Sequence, residues 1–149
     1  MVSEFRTIAD DASVRADAYA PTMQETMPDG RPTTIATGAR NEDVAASYLA
    51  AHGYRVVERN FKTKIGELDI IARDGSVLVF VEVRSRATDA FGSALDAVNE
   101  TKRQKVSRMA QQYIAWRAPA FESARFDVIA ITGDDVVLIR DAWRLGDRC

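Results

Sequence analysis

The apolar and polar positions are most regular over residues 66–84. Val77, Val79, Val81 and Val83 alternate with Leu78, Phe80, Glu82 and Arg84, which is the two-residue period of a strand. A second apolar run precedes them, and Asp74-Gly75 between the two predicts a hairpin turn. Glycine, and aspartate more than most residues, tolerates the positive φ such turns need. Upstream, a helix is expected over 38–52 with Ala45, Tyr48, Leu49 and His52 as its inward stripe and Gly53 as its C-terminal cap. Residues 54–60 read as a strand. After a loop over 85–92, a long helix over 93–117 ends at Pro119 and buries Leu95, Val98, position 102, Val106, Met109, Tyr113 and Trp116 in steps of three and four. Strands over 125–132 and 136–140 flank the turn Gly133-Asp134-Asp135, and Trp143 packs the end of the core. The order helix, three strands, helix, two strands predicts an α/β fold with a mixed central β-sheet flanked by helices.

Counting outward from a two-residue turn at Asp74-Gly75 places Asp69 opposite Phe80 and Glu67 opposite Glu82. Glu67, Asp69, Glu82 and Arg84 then share one side of the sheet, with Asp69 and Glu82 diagonal neighbours roughly 7 Å apart at the backbone. A one-residue slip would move one strand's set to the other face. Acids this close raise one another's pKa unless a cation or a basic partner compensates. Their oxygens suit Mg²⁺, which binds through one or two carboxylates and keeps waters for a phosphate substrate. An ordinary amphipathic hairpin with its charged side in water accounts for the same pattern.

Other charged residues bear on that choice. Glu42 extends the inward stripe of the first helix by one turn, although a first-turn acid, with Asn41 as cap, also complements the helix dipole. Lys102 interrupts the apolar stripe of the long helix; it either snorkels or reaches over the sheet to neutralise the acids. Arg103, Lys105 and Arg108 follow on that helix, and Arg59, Lys62 and Lys64 make the loop before the hairpin basic. Such bases suit a phosphodiester backbone, and equally a solvated face. His52, the single histidine, is a packing or capping residue near a helix end, and Asp127 is structural.

Composition narrows the classes. The chain has 149 residues, one domain's worth, with a net charge of −2. No apolar run reaches membrane-spanning length, and the N-terminus lacks a signal pattern. The single cysteine, Cys149, excludes a disulfide framework and a thiolate metal site, so a cytoplasmic protein is expected. Residues 1–36 are rich in Asp, Glu and Pro and poor in large apolar residues, the composition of a flexible acidic extension to a domain over 37–149.

The segments Gly38-x-x-Asn41-Glu42-x-x-Ala45-x-x-Tyr48-Leu49, Gly53-Tyr54, Arg59-Asn60, Gly66-Glu67-Leu68-Asp69-Ile70-Ile71-Ala72 and Val79-Phe80-Val81-Glu82-Val83-Arg84-x-Arg86 resemble the bacterial YraN family. Phe91-Gly92, Ala97-Val98-x-x-x-Lys102 and Arg125-Phe126-Asp127-Val128 extend the resemblance across nearly all of 38–140. That family is similar to the restriction-endonuclease-like fold, whose PD-(D/E)xK members include archaeal Holliday-junction resolvases. The resemblance implies Asp69 and Glu82 as ligands of Mg²⁺ (or Mn²⁺), with the carbonyl of Val83 and the carboxylate of Glu42 completing the site. It implies a basic role for Lys102 and none that is assigned for Glu67. Where the motif has lysine this chain has Arg84, which can offset charge on a phosphate but cannot act as a base. Lys102 is then the candidate for the missing ammonium, and Asn41 replaces a common glycine.

The expected function is metal-dependent hydrolysis of DNA phosphodiesters, with Glu42, Asp69, Glu82, Arg84 and Lys102 catalytic and Arg103, Lys105, Arg108, Lys62 and Lys64 holding the nucleic acid. A branched substrate and a homodimer follow only by analogy with the resolvases. The alternatives are a nuclease-fold module that binds DNA or a protein without cutting, and an interaction domain whose acids are merely solvated.

Overall fold

Five strands hydrogen-bond in the order of the chain in the computed structural model, which describes residues 34–86 and 99–144. The elements are α1 (Thr34–Ala51), β1 (Arg55–Thr63), β2 (Gly66–Asp74), β3 (Val77–Arg86), α2 (Glu100–Arg117), β4 (Ser123–Thr132) and β5 (Asp135–Trp143). β1, β2 and β3 form an antiparallel meander, β4 lies parallel to β3, and β5 returns antiparallel. Chain order dictates this: short turns join antiparallel neighbours, whereas the parallel β3–β4 pair requires a crossover, which contains α2. The sheet is mixed and carries a helix on each face, an α/β architecture consistent with the restriction-endonuclease-like fold.

The alternation of β3 sorts the core. Val79 and Val81 pack with Ala45, Tyr48 and Leu49 of α1, while Leu78 and Phe80 pack with Val106, Met109, Ala110 and Tyr113 of α2. Below α2, Phe80, Phe126 and Trp143 stack in sequence, with centroids 5.5 and 4.8 Å apart. Asp127 is fully buried in β4, as a structural residue should be: it accepts hydrogen bonds from Arg125, Tyr54 and the Asp141 backbone N–H. At the end of α1, His52 Nδ1 lies 2.7 Å from the Tyr48 carbonyl oxygen and its ring stacks on Tyr48. Gly53 follows with φ +85°, the left-handed geometry of a helix-ending glycine.

Several boundaries differ from the sequence expectation. The hairpin turn is Gly75-Ser76, because Asp74 pairs with Val77. Ser76 is held there by Glu122, whose N–H donates to the Ser76 carbonyl oxygen and whose carboxylate accepts the Ser76 hydroxyl. The partner of each paired β2 residue therefore shifts by two, which preserves the faces over Ile70–Asp74, and the ladder ends at Ile70–Val81, one residue short of Asp69. α1 begins at Thr34 rather than 38, there being no glycine or proline between Pro32 and Gly38 to stop it. α2 runs from Glu100, where Asn99 is extended and caps it by accepting the Lys102 N–H, and the part of the expected helix over 93–98 lies outside the described residues. It ends at Ala118, left-handed and immediately before Pro119. Trp116, expected inside, is 60% exposed: in the last turn of α2 its ring meets Phe61 of β1 edge-on, while Arg117 beside it pairs with Glu58 of the same strand. Most of the acidic extension, most of the 85–92 loop and the stripe residues Leu95 and Val98 lie outside the described residues.

Candidate metal centre

The site forms where the strand pattern breaks. On β2, Leu68 and Ile71 belong to the cluster under α2, while Ile70 and Ala72 belong to the cluster under α1. In an unbroken strand Leu68 and Ile70 would share a face. The same reversal occurs on β1: Phe61 packs under α2, but Arg59 reaches Asp43 of α1 at 2.7 Å and Glu42 at 3.9 Å. Between them Asn60 has φ +55°, and it falls opposite Asp69 between the pairs Arg59–Ile70 and Phe61–Leu68. Asn is among the few side chains that tolerate this conformation, and a residue so placed re-aims its neighbours.

Asp69 sits at that break and is reached from both sides. Its Oδ2 accepts the Val83 backbone N–H at 2.9 Å. Carboxylate oxygens of Glu42, Glu67 and Asp69 lie within 4.8 Å of one another, so α1 and β2 supply an acidic triad. Glu82 lies on the α2 side of β3, only 4% exposed, and its Oε1 takes both the Arg84 guanidinium at 2.9 Å and the Lys102 ammonium at 3.1 Å. The single four-residue face expected for Glu67, Asp69, Glu82 and Arg84 is therefore not a flat array. Glu67 and Asp69 join Glu42, while Glu82 and Arg84 join Lys102, and the break brings the two groups together.

The electrostatics record the crowding. Asp69 is pushed up to about 7, chiefly by burial and then by the Glu82 charge, while the Val83 N–H and Lys102 pull it down. Glu42 is also raised, again mainly by burial, opposed by the nearby Asn60 amide. Three partly buried carboxylates, hard oxygen donors converging within 4.8 Å, are suited to a divalent cation such as Mg²⁺ or Mn²⁺. The residues present fit that group.

The bases expected to hold nucleic acid are dispersed. Lys62 and Lys64 are exposed at the β1–β2 turn. Lys105 lies over Gly66, close enough that a β-carbon there would meet its Cε at 3.0 Å. Arg103 lies over the Trp143 ring at 5.8 Å, on the other flank of α2, as residues two apart on a helix (roughly 200° around the axis) must. Arg108 is exposed. They do not form one basic side. Sequence reasoning assigned no role to Glu67 and missed the structural part played by Asn60. An asparagine within an otherwise extended run was the available signal for the latter.

The profile of the Uncharacterised protein family UPF0102 matches residues 41–131, which span Glu42 to Lys102. A UPF0102 protein of Syntrophus aciditrophicus (strain SB) is 41% identical over 115 residues, covering 74% of this chain and 91% of that protein. One of Halorhodospira halophila is 45% identical over 107 residues, 72% of this chain and 86% of its own length. One of Ralstonia pickettii is 42% identical over 117 residues, 76% and 94% respectively.

Proposed function

Since the chain belongs to the Uncharacterised protein family UPF0102, the YraN family its motifs resemble, we propose that it is a metal-dependent hydrolase of DNA phosphodiesters. The observation that carries this reading is the convergence of Glu42, Glu67 and Asp69 within 4.8 Å, beside a buried Glu82 that already holds two cations. Glu42, Glu67 and Asp69 would hold Mg²⁺ or Mn²⁺, with Glu82 next to them. The bound ion would polarise a phosphoryl oxygen and make a coordinated water more acidic.

The chain's own groups supply the rest. Lys102 and Arg84 concentrate positive charge at the edge of the acidic cluster, where charge develops on a phosphate under attack. Arg84 remains protonated, so it stabilises charge and takes no proton. Lys105, Lys62 and Lys64, on the adjoining hairpin and helix flank, would hold backbone phosphates. A branched substrate is the finer expectation.

The test is cleavage of linear, flap and four-way DNA with Mg²⁺ or Mn²⁺, with Glu82→Ala purified alongside. Divalent-dependent cutting that Glu82→Ala lacks supports the proposal. DNA binding without cutting supports instead a nuclease-fold module that no longer cleaves. The Arg84–Glu82 pair at 2.9 Å favours that second reading, since it turns the motif's cation onto its own acid.

A further inference from the structure

Glu82 is the one hairpin acid of the site that stands outside the triad of Glu42, Glu67 and Asp69. It is close at hand, because Val83, the next residue of β3, donates its backbone N–H to Asp69 at 2.9 Å. Its Oε1, however, is already taken by the Arg84 guanidinium at 2.9 Å and the Lys102 ammonium at 3.1 Å. The two cations come from different elements, Arg84 from the same face of β3 and Lys102 from the first turn of α2. They are also the more accessible partners: the Glu82 side chain is 5% exposed, against 28% for Arg84 and 34% for Lys102. An anion arriving from solvent therefore meets the cations before the acid. Arg84 keeps one donor in hand, since its buried Nε has no hydrogen-bond partner among the described residues.

We infer that Arg84 and Lys102 hold Glu82 in reserve and that a phosphodiester releases it: the phosphate takes over the two cations, and Glu82 becomes a metal ligand beside Asp69. A carboxylate oxygen that faces a guanidinium and an ammonium is closed to a divalent ion, which the same two charges repel. Phosphate oxygens accept charge-assisted bonds from both groups, bidentately from arginine, and so compete with Glu82 for them. Glu82 without its partners is a buried charge lacking compensation, a costly state that a divalent ion relieves. Phosphate and metal therefore bind with positive cooperativity, each raising the affinity of the other by the same factor. The inference rests on the metal-site reading above and concerns when Glu82 joins that site.

The experiment is a Mn²⁺ titration followed by electron paramagnetic resonance on the full chain, for wild type, Lys102→Met, Glu82→Gln and the double variant, each checked for cooperative melting. Diethyl phosphate serves as the diester probe, with inorganic phosphate for comparison. The diester is expected to tighten Mn²⁺ binding to wild type by about 10-fold and to have no such effect on Glu82→Gln. Without the probe, Lys102→Met is expected to bind Mn²⁺ about 10-fold more tightly than wild type. That gain is expected to vanish in the double variant, because it acts through Glu82. Arg84→Gln frees the same oxygen and takes the place of Lys102→Met if that variant does not fold. An equal gain with and without Glu82 would make the cation a general field rather than a lock, and would overturn the inference while leaving the metal site standing. No response to the diester, or a response to inorganic phosphate alone, would do the same. A wild-type protein that takes up no Mn²⁺ with or without the probe would overturn both.

Discussion

Lys102 Nζ lies 3.1 Å from Oε1 of Glu82, joining the first turn of α2 to the middle of the sheet. Glu82 is nearly inaccessible, and Arg84 lies 2.9 Å away on the same oxygen. An ammonium at this position supplies what the arginine in the motif cannot, a cation able to shift between the acid and a neighbouring phosphate. Lys102→Ala is expected to lower divalent-dependent cleavage by about 100-fold. Adding Arg84→Lys is expected to recover part of that loss, as read from initial rates on branched DNA. Unchanged rates in Lys102→Ala would remove Lys102 from the reaction.

The raised Asp69 pKa has a definite sign in stability. In the unfolded chain this carboxyl ionises near 4, roughly its ordinary value, whereas in the fold it holds its proton to about 7. Between these values the unfolded state releases a proton that the folded state keeps, so metal-free stability falls as pH rises through that window. Asp69→Asn is therefore expected to gain melting temperature relative to wild type between pH 5 and pH 8. Mg²⁺, which binds the ionised form, is expected to raise the wild-type melting temperature more at pH 8 than at pH 5. Thermal scans at the two pH values check both, and parallel curves for the two proteins would contradict them.

At the other end of the sheet the charges are structural. Arg125 bonds Asp127, Asp74 and the Tyr54 hydroxyl, and burial together with Asp127 pushes the Tyr54 hydroxyl up to about 12. Arg125→Met would leave Asp127 charged and buried, at a cost of about 3–5 kcal/mol. Arg144→Ala, which removes an exposed pair with Asp141, is expected to cost under about 1 kcal/mol. Urea unfolding of the two variants measures the contrast, and equal losses would contradict it.

The residues that carry the site were legible to different depths. The faces of β3 were readable because every second residue from Val77 to Val83 is valine, and a register error of two leaves faces intact. That is why displacing the turn from Asp74-Gly75 to Gly75-Ser76 did little harm. Glu42 was readable as an inward helix residue. Glu67 was not assignable, because its place beside Glu42 depends on the reversal at Asn60 and Asp69, and alternation presumes an unbroken strand. Trp116 fitted the stripe of α2 by period alone, but period does not tell how deeply the last turn of a helix is covered. Arg103 and Lys105 read as one basic side until the helix turned them apart.

The central claim is that Glu42, Glu67 and Asp69 together grip a divalent ion, and calorimetric titration of Mg²⁺ into the metal-free protein tests it most directly. Saturable binding by wild type that is lost in Asp69→Asn, in a variant that still melts cooperatively, is the predicted result. No measurable uptake by the wild-type protein, or undiminished uptake by Asp69→Asn, would contradict it.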